Sequence, residues 1–356
     1  MGTQTFQRFQ TRLRHFRGRR FIGGLATLAM TMFGLLLFTF VLSRAAPIDP
    51  ALQLVGDHAS QETYQQARRD LGLDQPLPIQ FGHYLARLLH GDLGVSQVTQ
   101  HSVAQDLMRT FPATIELATC AILVSTLLSI ILASLCVYKP GSLLDHTVRI
   151  ISLLGYSVPI FWLGLLGLLF FYAKLHWSAG PGRLDDIYTY TMSFDSGFVL
   201  IDAIRSGDRD IIQNAFAHLW LPVSVLTLLS TASITRLLRA AMLEESNKEY
   251  VVLARAKGVG RTRILLKHIF PNVLGTLVTI LALSYTSLLE GAVLTETVFA
   301  WPGLGRYLTT ALFSADTSAI LGATLLIGVC FISLNMLADG LTRWVDPEPD
   351  EKRHVN

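Results

Sequence analysis

Apolar runs of roughly twenty residues alternate with short polar segments along this chain, the length that crosses a ~30 Å hydrocarbon core as a helix. Phe21 to Leu42 is the first run, and a polar stretch of mixed charge from Arg44 to about Glu116 follows it. Five more runs lie at about Leu117 to Tyr138, Ile150 to Phe171, Leu219 to Leu238, Val273 to Leu289 and Ile320 to Gly340. The pattern predicts an all-α polytopic membrane protein with six transmembrane helices. In the fourth span Ser224, Thr227, Ser230, Thr231, Ser233 and Thr235 dilute the hydropathy. Small hydroxyl residues permit close packing and hydrogen bonds between helices, so this span is expected to face other helices, away from lipid.

Within the polar stretch, one helix is predicted from about Ser60 to Leu71, stopping at Gly72. A second follows Asp74 and Pro76 and continues to Leu89, with Gly91 behind it; proline near a helix start and glycine past its end are the expected punctuation. The layout is then a basic N-terminal segment 1–20, a first span 21–42, a small helical subdomain 43–116, a core 117–343 with five spans and a basic loop 239–272, and a tail 344–356.

Of 356 residues, 51% are hydrophobic and 15% charged, and mean hydropathy is +0.44, values that remove the chain from ordinary soluble domains. A net charge of +3 is too small to argue for nucleic acid. The placement of charge says more. With both termini cytoplasmic, 19 of the 29 Lys and Arg residues fall on the inner side and 10 on the outer, the positive-inside bias. The first apolar run exceeds the 7–15 residues of a signal peptide and reads as a retained span, with cleavage after Ala45-Ala46 as the alternative. The outer segment Ser178 to His218 carries Asp185, Asp186, Asp195, Asp202, Asp208 and Asp210. Two readings stand for it: attraction of a cationic cargo or delivery protein, and plain solvation of a loop.

Ser246 to Pro271 is the most basic internal segment, with Arg255, Lys257, Arg261, Arg263 and Lys267. Ser246 and Glu249 have capping-box spacing and predict a helix start at Ser246. Gly258 predicts its left-handed end. A second short helix is expected from about Arg261 to Ile269, with Pro271 opening the next span, and Ala254 and Ala256 leave room for a close partner. Pro159 should kink the third span, because its ring removes one donor and crowds the preceding turn. Glu290 reads as the end of the fifth span, either lining a pore or snorkelling to the outer interface. Glu296 must face a cavity, a partner or the interface, given the cost of a charge in the bilayer. Asn335 and Asp339, four apart, share a helix face.

Several of these strings resemble one family. Tyr250 to Gly258, Y-V-x-x-A-R-A-K-G, with Pro271 thirteen residues on, resembles the cytoplasmic "EAA" loop of ABC-importer permeases of the dipeptide/oligopeptide/nickel type. The Glu that names the loop is absent here, as in peptide-type members. Gly72 to Pro76 and Gly91 to Ser96 resemble the GLDxP and GDLGxS signatures. The SxPxFWxG string at Ser157, with Pro159, Phe161 and Trp162, resembles the third span. Gly291 to Phe299 with Trp301 to Arg306 resembles the GAVxxETVFxWPGLGR block, and N-x-x-x-D followed by Asp346-Pro347 resembles the C-terminal end. The resemblance covers nearly the whole chain.

It implies the type I importer permease fold in a bacterial inner membrane. Glu249, Tyr250, Ala254, Arg255, Ala256, Lys257 and Gly258 would couple to ATPases. Pro159, Phe161, Trp162, Ser284, Glu290, Glu296, Pro302, Gly303, Gly305 and Arg306 are pore or gate candidates, the last five in a re-entrant segment at the outer mouth; Glu290 stands where relatives usually have a small or apolar residue, and the resemblance does not assign it. Asn335 and Asp339 are structural. Implied partners are a second homologous permease, two cytoplasmic ABC ATPases holding ATP and Mg, a periplasmic or extracellular substrate-binding protein, and lipid. Cargo would be peptides or similar small solutes, with nickel or a metallophore, polyamines and antimicrobial peptides as alternatives.

No G-x-x-x-x-G-K-[ST] loop occurs, so ATP is not expected on this chain, and neither HExxH nor GxSxG is present. Cys120, Cys136 and Cys330 lie in apolar runs without CxxC spacing, and the ten histidines lack metal-ligand spacing. No catalytic residue is assigned. A secondary transporter would need ion-binding carboxylates in its spans, and a membrane-bound enzyme a nucleophile and base; both are rivals with less in the sequence to carry them.

Overall fold

The computed structural model describes residues 29–42, 44, 49–56, 58–191 and 195–345. The basic N-terminal segment, the first eight residues of the predicted first span and Asp346-Pro347 lie outside these. Among the described residues the fold is all helical, apart from a single antiparallel bridge between Val95 and Ser102. Contacts divide the chain into two compact units: Met1–Gln105 with Ala311–Ile332, and Asp106–Thr310 with Ser333–Asn356.

In the first unit α1 (Ala29–Leu42), α2 (Pro50–Val55), α3 (Gln61–Asp70) and α4 (Leu77–Leu89) gather with the start of α15 (Thr317–Val345). Ser60 caps α3 by accepting from the Thr63 amide at 3.2 Å. Gly72 and Gly91 are left-handed, at φ 65° and 78°, and end α3 and α4 where the sequence placed them. Leu36, Phe40, Phe81, Tyr84 and Leu321 form the core of this unit. Its loop 92–102 is pinned by one buried carboxylate. Asp316 accepts the Ser96 hydroxyl at 2.6 Å and the Gln97 amide at 2.7 Å, while its other oxygen caps α15 by taking the Ala319 amide at 3.1 Å.

The second unit is built on α5 (Val103–Tyr138), α6 (Leu143–Ser157), α7 (Ile160–Gly167), α10 (Arg209–Ser246) and α13 (Phe270–Val298). Two small helices, α8 (Asp186–Thr191) and α9 (Val199–Ser206), precede α10. Two-thirds of the apolar window of α10 is buried, the largest share of any candidate span, as its hydroxyl residues predict. Thr227, Ser230 and Thr235 are buried, whereas Ser224 is exposed. Buried Asp145 and half-buried Arg239 join α6 to α10 through two parallel hydrogen bonds of 2.6 and 2.7 Å. Such fork-to-fork geometry fixes orientation as well as adding charge-assisted strength.

Among the described residues four helices are long and apolar enough to cross a membrane, or five if the bent pair at Pro159 is one span, and the first of the six predicted spans lies partly outside those residues. The described part of α1 is 14 residues, about 21 Å at 1.5 Å per residue and short of a full crossing. Pro159 breaks the third span instead of kinking it. Its ring disfavours helical geometry at Val158, which is extended (φ −91°, ψ 129°), and α6 and α7 meet at 99°. Finally, the spans outrun their apolar windows. α5 starts at Val103 instead of Leu117, and the fifth helix runs unbroken past Glu290 to Val298.

Candidate functional site

The basic segment forms α11 (Glu249–Ala256) and α12 (Arg261–Ile264). Ser246 does not cap α11. α10 continues through Ser246, whose hydroxyl turns back to the Leu243 carbonyl at 2.8 Å, and Lys248 is the residue preceding α11. The C-terminal end is as predicted: Gly258 sits at φ 79°, the Val259 amide donates to Ala254 O at 3.1 Å and the Gly258 amide to Arg255 O at 2.9 Å. Those two bonds are the Schellman pair. α12 is no separate short helix, because a π turn at Leu265–Ile269 carries it straight into α13. Pro271 has no amide to give, and the wider i→i+5 turn just before it takes up the misfit.

α11 has two faces. Val251 and Ala254 are buried in a core with Ile234, Leu238, Met242 and Ile264, so Ala254 holds the helix to the bundle and is not on its free surface. Glu249, Val252, Leu253, Arg255, Ala256, Lys257 and Gly258 are exposed, the two aliphatic residues at 53% and 55%. The apolar pair escaped sequence reading, which weighed the charges and the small Ala254 and Ala256. Tyr250 anchors the helix. Its hydroxyl lies against the Glu245 carboxylate at the end of α10, and takes the Asn272 amide of α13 at 2.9 Å. Burial, followed by the hydrogen bond to Glu245, raises the Tyr250 phenol above its ordinary value, so it stays a neutral donor. Arg255 donates to the Ser246 carbonyl at 3.2 Å.

At the far end of α13 the Glu296 block closes a turn. After Val298 the chain bends through Phe299 to Gly303 and returns as α14 (Leu304–Phe313), a ten-residue helix of about 15 Å. Glu296 is fully buried and caps α14 from outside it: one carboxylate oxygen accepts the Gly305 amide at 2.7 Å and the Arg306 amide at 3.1 Å, the other the Thr114 hydroxyl at 2.6 Å. Thr114 in turn accepts the Leu304 amide at 2.8 Å. A carboxylate against a helix N-terminus meets both unpaired amides and the positive end of the dipole. A Cβ at Gly303 would collide with this carboxylate, and one at Gly305 with the Val293 backbone. Trp301, 1% exposed, donates from its indole to Ala113 O at 3.0 Å, with the Arg183 guanidinium over its ring. Arg183 pairs with buried Glu116. Glu296, Gly303 and Gly305 are buried and hold a turn together, while Pro302 and Arg306 are exposed, the latter donating to Ala300 O at 2.6 Å.

A groove of about 420 Å³ runs between α10 and α13. Ser230, Ser233, Ser284 and Ser287 line it, with Arg236 at one end and Ile160 and Gly291 among its walls. Ser284 is the one predicted pore candidate inside it. Phe161 and Trp162 are 44% and 48% exposed on α7, Pro159 is exposed at the break, and Glu290 is exposed on α13. Asn335 is half-buried on α15, and the side chain of Asp339 lies outside the described residues. Among the described residues no group of three His, Cys, Asp or Glu is placed to hold a metal ion.

Long apolar helices, one of them largely enclosed by the others, with a short amphipathic helix fastened across two of their ends, define an all-helical multi-pass membrane protein. Residues 125–350 match the family described as binding-protein-dependent transport system inner membrane component, and residues 13–118 match its N-terminal portion. The chain is 40% identical over 320 residues to the probable D,D-dipeptide transport system permease protein DdpB of Escherichia coli (strain K12), covering 90% of this chain and 94% of that protein. Identity is 38% over 327 residues to the dipeptide transport system permease protein DppB of the same strain, covering 91% and 96%. It is 37% over 330 residues to the di/tripeptide transport system permease protein DppB of Pseudomonas aeruginosa (strain UCBPP-PA14), covering 92% and 98%. The chain belongs to the binding-protein-dependent transport system inner membrane component family.

Proposed function

We propose that the chain is the permease subunit of an ATP-driven importer of dipeptides or similarly small peptides. The cargo follows the names of the relatives similar over nine-tenths of the chain. ATP and Mg belong to two separate cytoplasmic ATPase subunits, a second homologous permease completes the path, and a binding protein delivers cargo from outside. In this reading the polypeptide crosses the inner membrane six times with α1 as the first span, both termini are cytoplasmic, and the first unit's helices α2 to α4 lie in the periplasm. The layout 1–20, 21–42, 43–116, 117–343 and 344–356 is retained.

The observation that carries the coupling role is the anchorage of α11. Tyr250 ties it to the ends of both α10 and α13, while Val252, Leu253 and Ala256 stand uncovered beside Arg255 and Lys257. An ATPase that closes on this apolar and basic face moves both long helices, and these are the walls of the serine-lined groove. That groove is this chain's share of the path, and its hydroxyls suit loosely held peptide groups.

Gly258→Glu tests the reading cleanly, since nothing lies within 4 Å of the Cβ position. The internal cost is a left-handed backbone for a non-glycine residue, about 1–2 kcal/mol. Gly258→Asn, a residue that tolerates this conformation, is the control. In proteoliposomes holding the whole complex, the Glu variant is expected to hydrolyse ATP without uptake of dipeptide, and the Asn variant to transport near the wild-type rate. Uptake by the Glu variant equal to that of Asn would remove α11 from coupling.

A further inference from the structure

Within the first unit a pocket of about 360 Å³ opens between the end of α1, the α3–α4 turn, α4, the loop 92–97 and the first turn of α15. Three guanidinium groups line it: Arg44, Arg69 and Arg87. Among the described residues neither Arg69 nor Arg87 is paired with a carboxylate. Burial, and after it the like charge of Arg87, pulls Arg44 below the ordinary arginine value, with Asp49 opposing. The pocket's acids accept hydrogen bonds from local groups, Asp70 from Gln66 one turn back in α3 at 2.9 Å and Asp92 from the Gly94 amide at 2.8 Å.

The polar atoms left without partners converge here. Arg44 Nε, the hydroxyls of Tyr84 and Thr317, and the amide oxygens of Gln80 and Gln97 are all buried and unpaired, and all five residues line this one pocket. Tyr84 is 6% exposed. A buried polar group without a partner costs about 1–3 kcal/mol. Five of them around one cavity, with three guanidinium groups against two carboxylates, give it the donors, acceptors and positive excess of a binding site. The donors and charges ask for an anion with several oxygens, and guanidinium groups match phosphate geometry. The two glutamine oxygens ask in addition for a hydroxyl or ammonium on the same molecule.

We propose that this pocket binds a phosphate ester that also carries a hydroxyl or ammonium group. The chemistry is shared by a glycerophospholipid headgroup and by a small soluble phosphate ester. Its position suits the former. Phe40, near the polar end of apolar α1, and Leu321, in the first apolar turn of α15, form part of the wall, so acyl chains have apolar helices to follow.

The test is native mass spectrometry of the full chain, purified in detergent with its partner subunits, titrated separately with phosphatidylglycerol, glycerol 3-phosphate and inorganic phosphate. Arg44→Gln/Arg87→Gln is expected to weaken phosphatidylglycerol binding at least tenfold. Lys139→Gln, a cation removed elsewhere, should change nothing. Tyr84→Phe, which keeps the packing and removes one hydroxyl, should weaken it severalfold with helical circular dichroism intact, and decides the matter where the double variant fails to fold. Competition by glycerol 3-phosphate supports a site for the phosphate ester itself; saturable binding of lipid without such competition supports a headgroup site that needs its chains. Binding of phosphatidylglycerol undiminished in both variants, or no saturable binding of lipid or glycerol 3-phosphate by the wild type, overturns the proposal.

Discussion

Replacing Glu296 by alanine separates a residue that builds the α13–α14 turn from one that serves a pore. Its carboxylate accepts the amides of Gly305 and Arg306 and the hydroxyl of Thr114, in a site with no exposed surface. Alanine leaves both amides without an acceptor, at about 1–3 kcal/mol each, and opens a void against Gly303. The loss in unfolding free energy is then about 2–6 kcal/mol before the void is counted. Glu296→Gln keeps the size and one acceptor oxygen, so its loss should be near that of one hydrogen bond to a charged group, about 1.5–3 kcal/mol. Equilibrium unfolding of the purified chain in mixed micelles measures both. The expected order is wild type, Gln, then Ala. An alanine variant within about 0.5 kcal/mol of wild type would refute the cap, and a pore role for Glu296 would return.

Gly303→Ala places a methyl group where the Glu296 carboxylate sits, and is expected to destabilise the chain by about 1–3 kcal/mol through overpacking; an unchanged midpoint in the same unfolding experiment would contradict the packing. Asp316→Ala orphans the Ser96 and Gln97 donors, and limited proteolysis should then cut between Val95 and His101 at least about tenfold faster than in wild type. Equal cutting rates would show that the loop is held by something else. Burial pushes the Tyr84 phenol up to about 12. The folded state therefore holds this proton more tightly than the unfolded chain, so its contribution is complete below pH about 10 and lost as pH rises towards 12. Absorbance titration should show one phenol ionising near 12 that is missing in Tyr84→Phe, and its ionisation near 10 would place Tyr84 in water.

What the sequence disclosed depended on how local the cause was. Gly72, Gly91 and Gly258 mark helix ends because a left-handed turn is a property of one residue, and all three lie where expected. Span boundaries were poorly legible, since hydropathy sees the apolar middle while the hydrogen-bond ladder continues through polar ends such as Val103 to Glu116 and Glu290 to Val298. Ser246 had capping-box spacing, but α10 had no reason to stop before it. The partners of Glu296 and Asp316 were invisible for a different reason. Their side-chain partners lie 182 and 220 residues away, at Thr114 and Ser96. A signal existed for the first: a lone Glu with glycines seven and nine residues later marks a carboxylate approached closely by backbone. For Asp316 nothing local distinguished it from a loop acid. The apolarity of Val252 and Leu253 passed unnoticed beside the basic residues, though their exposed side chains are part of the same face.

The π turn at Leu265–Ile269 holds one residue more than an α-helix needs, and this surplus sets the azimuth of everything upstream. Excising one residue there would leave α13 untouched and turn the short piece before it by about 100°, the angle of one helical step. Ile264 would then swing out of the core and a charged neighbour would rotate towards it. A single codon thus acts as a dial between the long helix and the basic turn that precedes it.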